Sequence, residues 1–301
     1  MLRMLGKTVP PVRAVLDGMI DRPEPGDYDA RSTPNAIPNR EEDMPVAWSY
    51  VTVEKAPPIA IVRFDRNQSL NAFNQQLLRE LTEAATTFHD DLETQCVVLA
   101  GAAAAFSSGA DLTDAASWKV ADQSDLERRR RFYSGVRLCK AWEEMPQITV
   151  AAMERMAVGA GCAIALACDW RVLGRSAFLY VPEVKIGLNL QWGALPRLIT
   201  LVGPARTKRI TLLCEKMDAA TALAWGLVDA LADDGHTVDV ALDMARRAAE
   251  MPAATVRLMK EAINATANAL HRATAFADGD QSQLTGGFEA ARAAREGFAR
   301  R

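Results

Sequence analysis

Three short stretches of this 301-residue chain carry residue types that could do chemistry. Ala105-Phe-Ser-Ser-Gly-Ala-Asp-Leu112 is a loop in which Gly109 lets the backbone turn sharply, so that successive N–H groups can point into a cleft. Val158-Gly-Ala-Gly-Cys162 opens a run of small apolar residues. At the start of a helix its first N–H groups have no intrahelical acceptor, and the helix dipole adds partial positive charge. Two such N–H sources facing each other make an oxyanion hole. Val181-Pro-Glu-Val-Lys-Ile-Gly187 puts one carboxylate, Glu183, on a turn within an apolar stretch. Burial there raises its pKa and suits it to act as an acid or base. Each stretch also has a plainer reading: an ordinary loop, a buried helix, a carboxylate that caps or pairs. A dinucleotide turn at Gly159-Ala-Gly161 is disfavoured, because Ile164 occupies the third glycine position of G-x-G-x-x-G.

Strands and helices must bring these stretches together. Residues 50–54 and Ile59–Phe64 read as strands joined by a turn, and residues 75–89 have apolar side chains at helical spacing. Cys96–Ala100 is an all-apolar strand, expected to be buried on both faces and to lead into the Gly109 loop. A helix over residues 126–145 leads to a strand at Ile148–Met153, then to a small-residue helix over 159–168 and strands at 170–173 and Phe178–Tyr180. The C-terminal third is rich in alanine and predicts helices at Ala219–Trp225, 238–250, 253–269 and 288–300, with Asp218 as N-cap and Gly226 as stop. The Arg128–Arg131 run reads as a solvated helix face. This order indicates an α/β or α+β domain.

Composition removes other functions. The net charge of -3 gives no general attraction to nucleic acid or an anionic membrane. The longest uncharged run, residues 94–110, falls short of the ~20 apolar residues that span a bilayer. Cys96, Cys139, Cys162, Cys168 and Cys214 are odd in number, sit in apolar contexts and form no C-x-x-C pair, which reads as buried thiols in a reducing, cytoplasmic setting. His89, His236 and His271 are far apart, so no metal site is expected. Residues 1–45 hold seven of the 14 prolines, with eight acids and six bases. They predict an extended or disordered arm, with a short amphipathic helix over residues 12–20 and too much acid for a transit peptide.

The three stretches, in this order, resemble the enoyl-CoA hydratase/isomerase (crotonase) family. Arg66-Asn-Gln-Ser-Leu-Asn-Ala72 is similar to its R-P-x-x-L-N-A segment, Ala105–Leu112 to its A-F-x-x-G-A-D-[IL] loop, and residues 149–169 to its strand, G-G-G-C helix and closing C-D. Residues 178–198, with three residues rather than two between Phe178 and Pro182, and residues 219–228 are similar to its F-x-x-P-E-[IV]-x-[IL]-G and A-x-x-A-x-x-x-G-L-V stretches. The resemblance implies a spiral of ββα units over residues 46–230, a helical oligomerisation region over 231–301, and a homotrimer or dimer of trimers. It also implies an acyl-CoA thioester substrate from fatty acid metabolism and no separate cofactor. The thioester oxygen would be held by the N–H groups of Ala110 and Ala160. Arg66, Ala72, Ser108, Asp111, Gly159 and Trp192 are the further candidate substrate-binding residues, with Arg66 near the CoA end.

Two departures bear on the reaction. The catalytic glutamate that ends G-G-G-C-E in the hydratases is matched here by Ala163, and the middle glycine by Ala160. Hydration needs water placed at C3 and a proton delivered to C2, which two glutamates do well. Moving a double bond from C3–C4 to C2–C3 needs one base that reaches both carbons. The sequence therefore favours Δ3,Δ2-enoyl-CoA isomerisation with Glu183 as sole catalytic carboxylate. Hydration, or another enolate-forming reaction with Tyr180 or Asp114 as substitute, is the alternative. A silent acyl-CoA-binding protein is a third reading.

Overall fold

The computed structural model of the chain describes residues 48–114 and 123–299. The expected arm over residues 1–45 lies outside them.

The ordered chain begins with a hairpin, β1 (Val51–Ala56) and β2 (Ile59–Phe64), followed by α1 (Gln75–Thr86) and β3 (Cys96–Ala100). Two helices, α2 (Asp125–Phe132) and α3 (Ser134–Glu143), lead to β4 (Ile148–Met153) and β5 (Met156–Val158). Then come α4 (Ala160–Ala167), β6 (Trp170–Gly174), β7 (Phe178–Tyr180), a 3-10 turn at Glu183–Ile186 and α5 (Ala194–Leu212). The remainder is β8 (Met217–Asp218), α6 (Ala219–Trp225), β9 (Ala230–Ala232) and five helices: α7 (Thr237–Ala249), α8 (Ala253–Ala267), α9 (His271–Ala275), α10 (Asp278–Gly287) and α11 (Glu289–Ala299).

The strands form a six-stranded sheet, β1-β2-β3-β4-β6-β9, and a smaller one, β5-β7-β8. Only the β1–β2 pair in the large sheet is antiparallel. After β4 and again after β6 the chain turns a short corner and gives its next strand to the small sheet, which generates the α/β spiral of ββα units. β3 shows why its sequence is apolar throughout. Val97 and Leu99 join the core under α1 and α3, while Cys96, Val98 and Ala100 face α7 through Ala241 and Ala245.

Two expectations change. The single helix over 126–145 is broken at Tyr133, whose backbone leaves the helical region and whose hydroxyl donates to the Phe276 carbonyl at 2.5 Å. The 19-residue α5 is absent from the sequence reading, because Pro196, Gly203 and Pro204 mask it. Gly203 takes a non-helical conformation (φ 75°) that kinks the helix and lets Pro204 restart it. Asp218 caps α6 by accepting the Thr221 N–H at 2.7 Å, and Gly226 ends it in the left-handed region. α8 is pinned to the body by buried Lys260, whose Nζ donates to Asp169 Oδ2 at 2.7 Å and to the Gln147 carbonyl at 2.6 Å. No helix among the described residues is long and apolar enough to cross a membrane.

Candidate active site

The loop after β3 is stitched on both sides. Toward β5, Phe106 and Ser107 donate their N–H groups to the Glu154 and Met156 carbonyls at 3.0 Å each. Toward residues 70–73, the Phe73 N–H donates to the Gly109 carbonyl at 2.7 Å and the Asp111 N–H to the Phe73 carbonyl at 2.9 Å. This short parallel bridge uses Gly109 and Asp111, so the N–H of the residue between them, Ala110, points to the other side. The turn needs Gly109 at φ +106°, a region that side chains disfavour.

The second N–H source is the start of α4. Gly159 sits at φ +47° and donates its own N–H to the Tyr180 carbonyl at 2.8 Å, which aligns the helix with β7. Ala160 follows as the first helical residue, where no intrahelical acceptor exists. Among the described residues, neither the Ala110 N–H nor the Ala160 N–H has a hydrogen-bond acceptor. Both residues line one cavity of about 190 Å³.

Glu183, on the 3-10 turn after β7, lines the same cavity. Its Oε2 is buried with no hydrogen-bond partner, and burial pushes its pKa up to about 7. Ser108, Gly159, Ala163, Asp111 and Trp192 also line the cavity. Asp111 is committed elsewhere: its Oδ2 accepts from Arg66 Nη1 at 2.9 Å, and both side chains are under a tenth exposed. Burial would raise its pKa, but hydrogen bonds from Thr113 and Arg66 hold it below the ordinary carboxylate value. Cys162 is no nucleophile in this setting, since burial lifts its thiol to about 12.

Alongside this fold and cavity stands a match in sequence: the family model for enoyl-CoA hydratase/isomerase covers residues 54–300. The chain belongs to that family. Among relatives, a probable enoyl-CoA hydratase of Mycobacterium tuberculosis is 30% identical over 222 residues, which is 73% of this chain and 82% of that protein. A short-chain-enoyl-CoA hydratase of Clostridium acetobutylicum is 29% identical over 215 residues, 71% of this chain and 80% of that one. The crystal structure of an enoyl-CoA hydratase from Mycobacterium avium subsp. paratuberculosis matches at a TM-score of 0.74 and 27% identity, covering 85% of this chain and 97% of that one.

Within this family fold, the residues singled out from sequence divide into two groups. Ala110, Ala160, Glu183, Ser108, Asp111, Gly159 and Trp192 meet at the cavity. Arg66 and Ala72 do not line it. The Arg66 side chain, expected near the CoA end, is only 5% exposed, and its Nη1 donates to the Ala72 carbonyl at 2.6 Å as well as to Asp111. In this geometry the pair braces the two segments that carry Phe73 and Ala110. The proposed substitutes for a second acid also lie off the cavity. Asp114 accepts the Gln75 N–H at 3.3 Å, and the Tyr180 hydroxyl accepts from Lys185 Nζ at 3.1 Å. Arg131, expected on a solvated face, instead lines the cavity. Sequence reading also missed Gln191 and Ser282, which join across the wall through a 2.6 Å hydrogen bond. Their separation by ninety residues of chain, with α10 unrecognised, left no local signal.

Proposed function

We propose that this chain processes an acyl-CoA thioester through an enolate, and that its reaction is Δ3,Δ2-enoyl-CoA isomerisation. The observation that carries this reading is the pairing of Glu183 with Ala163 in one cavity, where the family's hydratases would have a second glutamate. Glu183 removes a proton from C2 of a 3-enoyl thioester. The C–H electron pair moves into a dienolate whose oxygen accepts from the Ala110 and Ala160 N–H groups. Glu183 then returns the proton at C4, and the double bond comes to rest between C2 and C3. A preorganised N–H donor of this kind is worth ~3–4 kcal/mol in the transition state. A base with a pKa near neutrality suits both halves of the transfer.

Hydration of a 2-enoyl thioester is the second reading, favoured by the names of the relatives. Steady-state rates with 3-enoyl-CoA and 2-enoyl-CoA separate the two. Isomerisation requires faster conversion of the 3-enoyl ester, and the reverse order assigns hydration. Deuterium exchange at C2 of a saturated acyl-CoA in heavy water is expected for either enzyme. Its absence, with binding intact, points to a silent binder. The exposed apolar face of α8, with Leu258, Met259 and Ile263, supports the trimer that belongs to this reading, and light scattering on the purified protein checks it.

A further inference from the structure

Trp192 stands between two cavities. It lines the site of about 190 Å³ that holds Glu183, and it also lines a cleft of about 910 Å³ bordered by α3, α8 and α9. Among the described residues it is the one that lines both. Its indole lies flat against the Gly135 backbone, so close that a Cβ at 135 would fall 1.9 Å from the ring, and its edge meets Phe73 at a centroid distance of 5.9 Å.

The backbone beneath this indole is unusual. Trp192 has φ +63°, a region that bulky side chains rarely enter. Two hydrogen bonds from other elements hold it there, one at Trp192 and one at Gly193. Arg197 Nη1 donates to the Trp192 carbonyl at 2.8 Å, while its Nε and Nη2 grip Glu143 at 2.8 and 2.9 Å. The next N–H, that of Gly193, donates to Asp278 Oδ2 at 2.8 Å. Arg197 and Asp278 are both buried, so neither bond is exposed to competition from bulk water. A strained conformation persists only where its surroundings over-determine it, and such residues gather at functional sites.

We propose that Trp192 is a specificity-determining partition that closes the catalytic cavity against the larger cleft, with Arg197 and Asp278 as positioning residues that hold it shut. The proposal rests on the acyl-CoA reading and adds to it the substrate class: short acyl chains, with longer ones excluded by the indole. Removing the indole would join the two spaces and admit a longer chain.

The test is the ratio of dissociation constants for butyryl-CoA and dodecanoyl-CoA, measured by calorimetry on the full chain. Trp192→Ala is expected to shift this ratio toward dodecanoyl-CoA by about tenfold or more. Trp192→Leu reports the same shift if the alanine variant does not fold. Asp278→Ala is expected to shift the ratio in the same direction by a smaller factor. Asp278→Asn keeps an oxygen acceptor for the Gly193 N–H and should restore the wild-type ratio. An unchanged ratio in a folded Trp192 variant overturns the partition. Equal ratios in Asp278→Ala and the wild type overturn the positioning role. Wild-type protein that binds neither ester overturns the acyl-CoA reading, and the partition with it.

Discussion

Glu183 rests directly against Gly159: a Cβ built at position 159 would stand 2.6 Å from Glu183 Oε1. The glycine therefore serves two ends. It accepts φ +47° at the entry to α4, which aims the Ala160 N–H, and it leaves room for the Glu183 carboxylate, the proposed base. Gly159→Ala is expected to add ~1–3 kcal/mol of backbone strain. It should also push the carboxylate aside, with kcat falling by about 10²-fold, since misplacements near 1 Å have that effect. Steady-state kinetics with a 3-enoyl-CoA, beside a melting curve, check both parts. Wild-type kcat in the variant would show that the contact does not position Glu183.

Glu183→Gln keeps the shape of the side chain and removes the base. Turnover should fall by about 10²–10⁴-fold, the usual worth of a general base, while the Kd for a saturated acyl-CoA stays near the wild-type value. Unaltered kcat would remove Glu183 from the mechanism.

The pH profile follows from the same carboxylate. As a base Glu183 must be ionised, so kcat/KM should rise with pH and level off above about 7. Stability should run the other way. The folded-state pKa is raised from 4.5 to about 7, so between these values the native state holds a proton that the unfolded chain has lost. The stabilising contribution is complete below 4.5 and is lost as pH rises through 7. Asp278, pushed up to about 6 by burial, contributes with the same sign. The difference in melting temperature between Glu183→Gln and the wild type isolates the Glu183 part. It should favour the variant increasingly from pH 5 to pH 8, and a flat difference would contradict the raised pKa.

Arg66 and Asp111 form a buried pair, so removing one partner strands the other's charge. Asp111→Ala is expected to cost ~3–5 kcal/mol in denaturant unfolding. The double variant with Arg66→Met should recover part of that loss, as a coupled pair requires. If Arg66 instead holds a CoA phosphate, Arg66→Met alone will raise the acyl-CoA KM with little change in stability.

Much of the frame could be read from the chain. The all-apolar Cys96–Ala100, the Ile148–Met153 strand and the capped Ala219–Trp225 helix declare themselves through period, cap and stop residues, which act over a few neighbours. The loop and helix glycines likewise announce backbone conformations that other residues disfavour. Helix α5 was hidden for the converse reason: Pro196, Gly203 and Pro204 carry a local signal against helix that packing overrides.

Read through the family resemblance, residue identity established that Ala163 stands where the hydratases carry a glutamate, because the absence of an ionisable group needs no geometry to establish. Where Arg66 points, that Arg131 reaches the cavity, and that α10 holds the wall at Gly193 were settled only by the fold. A charged side chain has no preferred partner until folding brings one within hydrogen-bond range. Asp111 lies 45 positions from Arg66, and Asp278 lies 85 from Gly193. Over such separations the choice of partner is made by the packing of sheet and helices, to which the local sequence contributes no distance information.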